Sequence, residues 1–259
     1  KKRKKINKEQ QNKIIKQLDF ELTNDQIKTL KEINDDLSSP KKMFRLLQGD
    51  VGSGKTIVSL LSALNTIDSD FQVAFMAPTE ILARQHFNLA KKIYPKKINI
   101  EFISGKSDYS NKKRILNNLL NHKIDIVFGT HAIFQKKIVF KKLGLIIIDE
   151  QHKFGVNQRK KLSDKGGEDC DVLLMTATPI PRTLTMTIYG DMDLSIIREK
   201  PKKRKLVKTY SKPESKIDDV IKFIKKEIKL GNQIFWVCPL IDESKKIDHS
   251  SAKQKFEYL

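Results

Sequence analysis

Apolar and polar positions follow two different rhythms along this chain of 259 residues. Short, nearly unbroken apolar runs recur as MFRLLQ, QVAFMA, INIEFIS, DIVFG, LGLIIIDE, VLLMTAT and DLSII. Each has the length of a strand, and a run without alternation suits a strand covered on both faces of a parallel sheet. Between these runs, apolar residues fall at three- and four-residue spacing. Ile27, Leu30, Ile33 and Leu37 predict a helix from Thr23 to about Leu37, ended by SSPKK; further helices open at Lys55 and Thr79 and run through ILNNLL. Strands alternating with helices imply right-handed crossovers. The prediction is an α/β fold with a mostly parallel sheet flanked by helices.

The same pattern divides the chain. Residues 1–18 are Lys-, Gln- and Asn-rich and read as a basic N-terminal segment, a frayed helix or a connector in which little chemistry can reside. Residues 19–197 form the strand-helix array, and REKPKKRK at 198–205 reads as a linker. From 206 to 259 a second unit begins, with LVKTY as a strand, a helix from about Glu214 to Leu230 stopped by Gly231, QIFWVC as a strand and a final helix. Two strands and two helices are too few for a stable α/β domain, so this unit is expected to be an incomplete second domain.

Composition alters the picture only at the edges. Hydrophobic residues make up 39% of the chain, enough for a real core, and the formal net charge is +20. That charge favours a polyanionic partner such as nucleic acid. Lysine, however, far outnumbers arginine, and Ile and Asn are frequent, so part of the excess fits compositional drift on a solvated surface. Cys170 and Cys238 have no CxxC spacing, which argues against a disulfide framework or a zinc site and for a reducing compartment. No run approaches membrane-spanning length, and no apolar segment follows the basic start. A cytoplasmic protein without a membrane partner is expected.

The chemistry concentrates in two stretches. GDVGSGKT, Gly49 to Thr56, fits G-x-x-x-x-G-K-[ST] and lies after a strand and at the start of a helix. Gly49, Gly52 and Gly54 let the backbone N–H groups of Asp50, Val51, Ser53 and their neighbours turn inward around phosphates, and the helix N-terminus adds a favourable dipole. Lys55 would neutralise the β- and γ-phosphates, and the Thr56 hydroxyl would join a Mg²⁺ shell. The cofactors expected are therefore ATP and Mg²⁺. The second stretch is LIIIDEQHKFGV, in which an apolar strand stops at Asp149, Glu150, Gln151 and His152. Asp149 would hold Mg²⁺ through water, and Glu150 would orient or deprotonate the attacking water. By spacing alone, His152 could equally be a satisfied core group.

DEQH after an apolar strand, with GDVGSGKT upstream and TATPIPRT downstream, resembles the superfamily 2 helicases and translocases. PTEILARQH (78–86), GTHAIF (129–134), DEQHKFGVNQR (149–159), TATPIPRTL (176–184), YGDMDLS (189–195) and WVCPLIDES (236–244) together look like RecG-type branch-migrating DNA helicases, over about residues 18 to 259. The resemblance implies a RecA-like motor domain and the start of a second. It implies that Gln151 and His152 report nucleotide state, and that Thr176, Ala177 and Thr178 couple the nucleotide site to DNA. Pro78, Thr79, Ser104, Gly105, Gly129, Thr130 and His131 would hold a DNA backbone, which positions without reading sequence. Thr79 and Thr130 also precede helices and suit N-caps, a role compatible with a phosphate contact. Arg182 is either a phosphate contact or a helix-end surface charge. In FELTNDQ, Phe20 could stack on adenine and Gln26 pair with it, but Thr23-x-x-Gln26 is equally a capping box.

The implied activity is ATP-dependent remodelling of branched or double-stranded DNA, at replication forks and Holliday junctions in recombination and repair, by a monomer associated with the nucleoid. The chain departs from the pattern in lacking the N-terminal wedge and most of the second motor domain. Arg204 is its last arginine. Arginines across the motor cleft contribute on the order of 10³ to 10⁵ in rate in related phosphoryl transfers, so the chain is expected to bind nucleotide and hydrolyse it poorly, as a fragment of a longer product. Rival readings are a transcription-repair coupling translocase, which shares HxFGV and TPIPRTL, an RNA helicase, and a basic DNA-binding module with a vestigial phosphate loop.

Overall fold

The structure, a computed structural model, describes residues 1–105, 109–135, 137–150, 167–178, 192–200, 207–238 and 256. The chain divides into two compact units, Lys1–Arg204 and Lys205–Leu259.

The first unit is built on a seven-stranded sheet. Its strands are β1 (Phe44–Gly49), β2 (Gln72–Met76), β3 (Ile100–Ile103), β4 (Ile126–Gly129), β5 (Leu143–Ile148), β6 (Asp171–Thr176) and β7 (Asp193–Ile197). They lie in the order β3-β4-β2-β5-β6-β1-β7, and every pairing is parallel. All seven apolar runs are thus strands. The helices are α1 (Lys8–Lys16), α2 (Asn24–Ser38), α3 (Lys55–Asp68), α4 (Glu80–Ile93) and α5 (Tyr109–Leu120).

The unbroken apolar runs follow from burial on both sides. Leu145 and Ile147 face one core with Leu47, Phe75, Leu173 and the helices α1 to α4, while Ile146 and Ile148 face a second with Leu46, Met76, Leu174 and α5. A two-residue side-chain period with both faces covered makes a polar residue in the middle of such a run costly unless it finds a partner.

The N-terminal segment is part of this unit. Asn7 caps α1 by accepting from Gln10 N–H, Ile14 enters the core, and Gln11 Nε2 donates to Leu61 O at 2.9 Å. A capped helix with a buried face does not fray freely. Beneath it, Lys1 Nζ and Lys4 Nζ each lie 2.7 Å from one carboxylate, Asp171, at the start of β6, and all three side chains are buried. Asp171 Oδ1 also accepts from Met43 N–H at 2.7 Å. The segment is therefore fixed to the edge of the sheet opposite the strand ends where the motifs lie.

In the second unit a 3-10 turn (Glu214–Lys216) leads into α6 (Ile217–Lys229), and Gly231 at φ 82° follows its end, as the sequence predicts. The expected strands LVKTY and QIFWVC are not strands where they are described, at 207–210 and 233–238. Tyr210, Phe235 and Val237 are exposed. A β run is stable only with a partner to take its hydrogen bonds and apolar face, and no such partner lies among the described residues. Among the described residues, no helix is long and apolar enough to cross a membrane.

Candidate active site

β1 delivers Gly49 to a turn that reverses into α3. Gly52 and Gly54 take φ 74° and 90°, left-handed values that favour glycine. Gly54 is the N-cap of α3 and no side chain caps this end, so the first N–H groups of the helix face the loop. Such an end is a ready anion site. Ser53 Oγ is buried with no hydrogen-bond partner among the described residues. Lys55 folds back over the loop and donates from Nζ to Gly49 O at 2.6 Å and Asp50 O at 3.2 Å. Burial holds its ammonium below the ordinary lysine range, against the opposing pull of Asp149, Glu150 and Asp50. A desolvated cation, an orphaned hydroxyl and uncapped N–H groups fit a polyphosphate, which would satisfy all three.

The acids stand at the end of β5. Asp149 N–H donates to Met76 O at 2.8 Å, and its carboxylate accepts from Glu150 N–H at 3.0 Å. Glu150 has φ 50°, a strained value for a non-glycine residue that is common at working sites. Among the described residues no group of three His, Cys, Asp or Glu could hold a metal. Thr56 and Asp149 offer a hydroxyl and one carboxylate, the donor set of a Mg²⁺ that keeps water and phosphate oxygens in its shell.

Thr176, at the end of β6, pairs in register with Gln48 of β1 and stands between the acids and the phosphate loop. Its hydroxyl lies 2.8 Å from that of Thr178 and accepts from Thr178 N–H at 3.2 Å, and Ala177 bridges the two. Gln151, His152 and Arg182 lie outside the described residues.

Gln26 serves both of the roles left open by its sequence. The capping box is formed, with Thr23 Oγ1 accepting from Gln26 N–H and Gln26 Oε1 accepting from Thr23 N–H at 3.0 Å. The other end of the same amide donates to Ser53 O at 2.7 Å, and the residue is 2% exposed. Adenine pairing would have to use the remaining hydrogen and lone pair of that amide. Phe20 is 42% exposed and lines a cleft with Ile15, Leu18, Leu22 and Ile27, whose lining includes no residue of the phosphate loop.

The backbone-binding candidates occupy the other half of the sheet. Pro78 and Thr79 follow β2, Ser104 and Gly105 follow β3, and Gly129, Thr130 and His131 end or follow β4, the three strands β3-β4-β2 being neighbours. Thr79 caps α4 by accepting from Leu82 N–H at 3.3 Å, whereas Thr130 makes no side-chain cap to the 3-10 turn His131–Phe134. Gly129 is buried, and a Cβ there would stand 2.3 Å from Ile103 O. Gly105 and His131 are exposed.

The model of the DEAD/DEAH box helicase family matches residues 22–187. The chain belongs to this family. Within it, the chain is 46% identical over 258 residues to the ATP-dependent DNA helicase RecG of Bacillus subtilis, covering 99% of this chain and 38% of that protein. It is 47% identical over 246 residues to RecG of Thermotoga maritima, covering 95% of this chain and 31% of that protein. The chain thus spans 31–38% of the length of these curated relatives. A solved structure of RecG bound to a three-way DNA junction superposes with TM-score 0.81 at 41% identity, covering 99% of this chain and 34% of that one. Mss116p bound to ssRNA and AMP-PNP, at 21% identity and TM-score 0.64 over 87% of this chain and 51% of that one, shares the RecA-like helicase fold.

Two parts of this helicase-family site went unassigned in the sequence. His86 lies inside PTEILARQH, and its signal was a polar residue in the apolar stripe Ala83, His86, Ala90, Ile93 of α4. Lys200, whose Nζ lies 3.7 Å from Asp50 Oδ2 of the phosphate loop, comes from the stretch read as linker and carried no local signal.

Proposed function

We propose that this chain is the nucleotide-binding motor portion of a RecG-type ATP-dependent DNA helicase that acts on branched or double-stranded DNA. The observation that carries the reading is the phosphate-loop cradle around Lys55 after β1, set one strand away from Asp149 and Glu150 after β5, at the same edge of one parallel sheet. Ligands of open α/β sheets bind at this edge. High identity to RecG proteins along nearly the whole chain supports the same substrate class.

In this reading Mg²⁺-bound ATP supplies the phosphoanhydride whose hydrolysis drives movement. Lys55 leaves the Gly49 and Asp50 carbonyls to neutralise the phosphates, while Thr56, Asp149 and the N–H groups opening α3 orient them. Glu150 positions and deprotonates the attacking water, with Gln151 and His152 sensing the γ-phosphate. Gln26 holds the loop through Ser53 while reading adenine, and Phe20 supplies a stacking surface. Thr176, Ala177 and Thr178 transmit the nucleotide state toward Pro78, Thr79, Ser104, Gly105, Gly129, Thr130, His131 and Arg182, which grip the DNA backbone. The motor domain takes in the N-terminal segment and reaches to Arg204, with the start of a second motor domain after it, and the protein works as a monomer in the cytoplasm, associated with the nucleoid.

The test is binding of a fluorescent ATP analogue with and without Mg²⁺, together with hydrolysis with and without a DNA junction, for the wild type and Lys55→Ala. The reading expects Mg²⁺-dependent binding that Lys55→Ala abolishes, and stronger stimulation by branched DNA than by duplex RNA. Nucleotide and DNA binding both unchanged in Lys55→Ala would instead favour a basic DNA-binding module with a vestigial loop.

A further inference from the structure

The sheet order places the two halves of the site on neighbouring strands. β2, which leads into Pro78, Thr79 and α4, pairs directly with β5, which ends at Asp149. One side chain crosses that boundary. His86, in the second turn of α4 and 8% exposed, lies with Nε2 at 2.8 Å from Asp149 Oδ2. An ionised carboxylate only accepts, so Nε2 carries the proton and donates. The imidazole is held against the Phe75 ring, centroids 4.8 Å apart, and Ala83, Ala90 and Ile93 are buried on the same stripe of the helix.

We propose that His86 is a positioning residue that sets the orientation of the Asp149 carboxylate toward its metal and links that orientation to the placement of α4. The inference rests on the ATPase reading above. A core histidine can be satisfied by any buried acceptor, so the identity of the acceptor is what matters. Here the partner is the carboxylate assigned to Mg²⁺, and Asp149 Oδ1 is already taken by Glu150 N–H. Both oxygens are thereby fixed, one by the strand's own backbone and one by a helix of the DNA half. Removing an outer partner of a directly ligating group changes metal affinity by about 10- to 100-fold, and for Asp149, which would reach Mg²⁺ through water, the lower end of that range is expected. The link to DNA is mechanical. α4 is a 14-residue helix with Thr79 as its N-cap, so a phosphate that shifts this end carries His86 with it. A hydrogen bond of 2.8 Å ceases to be one when stretched to about 3.6 Å.

The experiment compares wild type, His86→Ala, His86→Gln and His86→Phe. It reads the Mg²⁺ concentration for half-maximal binding of a fluorescent ATP analogue, nucleotide affinity without metal, DNA affinity without nucleotide, and the ratio of DNA-stimulated to basal hydrolysis. His86→Gln keeps an N–H donor, and His86→Phe keeps the packing against Phe75 without one. The expected result for His86→Ala and His86→Phe is a rise of about tenfold in the Mg²⁺ requirement. It should come with a loss of the stimulation ratio, metal-free nucleotide affinity and DNA affinity changing less than about twofold, and substantial rescue in His86→Gln. Should His86→Ala not fold, His86→Phe carries the comparison. An unchanged Mg²⁺ requirement in folded His86→Phe overturns the inference, as does an equal loss in His86→Gln. A wild type that binds no Mg²⁺-ATP would instead sink the ATPase reading itself.

Discussion

Asp25 and Glu199 hold each other's backbone. Asp25 Oδ2 accepts from Glu199 N–H at 2.9 Å and from Arg198 N–H at 2.8 Å, while Glu199 Oε2 accepts from Asp25 N–H at 3.2 Å. The first turn of α2, which carries Gln26, is thus tied to the chain leaving β7, and the next residue, Lys200, pairs with Asp50 of the phosphate loop.

This tie has a defined pH dependence. The N–H groups of Glu199 and Arg198 hold the Asp25 carboxyl below the ordinary carboxylate range. A depressed acid contributes stability above its unfolded value, about 3.9 for Asp, and loses it as pH falls through the lowered folded value. The amide resonances of Arg198 and Glu199 should therefore hold steady on acidification through the ordinary Asp range and move only below it. In Asp25→Ala the same two amides should exchange hydrogen faster at neutral pH. Titration at or above the ordinary value would mean that the tie does not persist in solution.

Lys55 should separate binding from stability. Because burial disfavours its charge, Lys55→Met should leave the melting temperature of the nucleotide-free protein unchanged or slightly raised. The stabilisation by nucleotide, about 2.7 kcal/mol at a hundredfold excess over Kd in the wild type, should vanish. Differential scanning calorimetry with and without Mg²⁺-ATP measures both, and a large drop in the nucleotide-free melting temperature would contradict the description of the buried cation.

Gly54 and Gly105 should respond oppositely to alanine. At Gly54, φ is 90° and a Cβ would stand 2.3 Å from Gln26 Nε2, so Gly54→Ala must displace the amide that holds Ser53. A left-handed alanine alone costs about 1–2 kcal/mol, and nucleotide affinity should fall at least tenfold. At Gly105 nothing lies within 4 Å of a Cβ, so Gly105→Ala should fold with wild-type stability. Paired thermal melts and nucleotide titrations decide between them.

Asp171 should be among the most sensitive positions far from the motifs. Removing it leaves two buried ammonium groups, Lys1 and Lys4, without their shared partner. Asp171→Ala should destabilise by about 3–5 kcal/mol, and Lys4→Met by less, since Lys1 still neutralises the carboxylate. Urea denaturation of the two variants gives the comparison, and equal effects would mean that Lys1 does not share the site.

The sheet and the phosphate loop were legible because their signals are local. A run such as Leu145 to Ile148 admits little but a strand buried on both faces, and a turn needing left-handed backbone can be read from Gly52 and Gly54. LVKTY and QIFWVC show where this reading stops. Their composition favours strands, but a strand exists only through a neighbour, and composition does not contain the neighbour.

Sequence by itself determined the strand-helix order, the fold class, the cradle from Gly49 to Thr56 and the acids that end β5. Tertiary structure alone decided the strand order, and with it everything that depends on residues distant in the chain. It placed β2 beside β5, so that His86 meets Asp149. It folded the N-terminal lysines under β6, and it let the single amide of Gln26 serve both a helix cap and the phosphate loop. Backbone preference and hydrophobic period act over a few residues, whereas these contacts depend on which strands lie side by side once the core has closed.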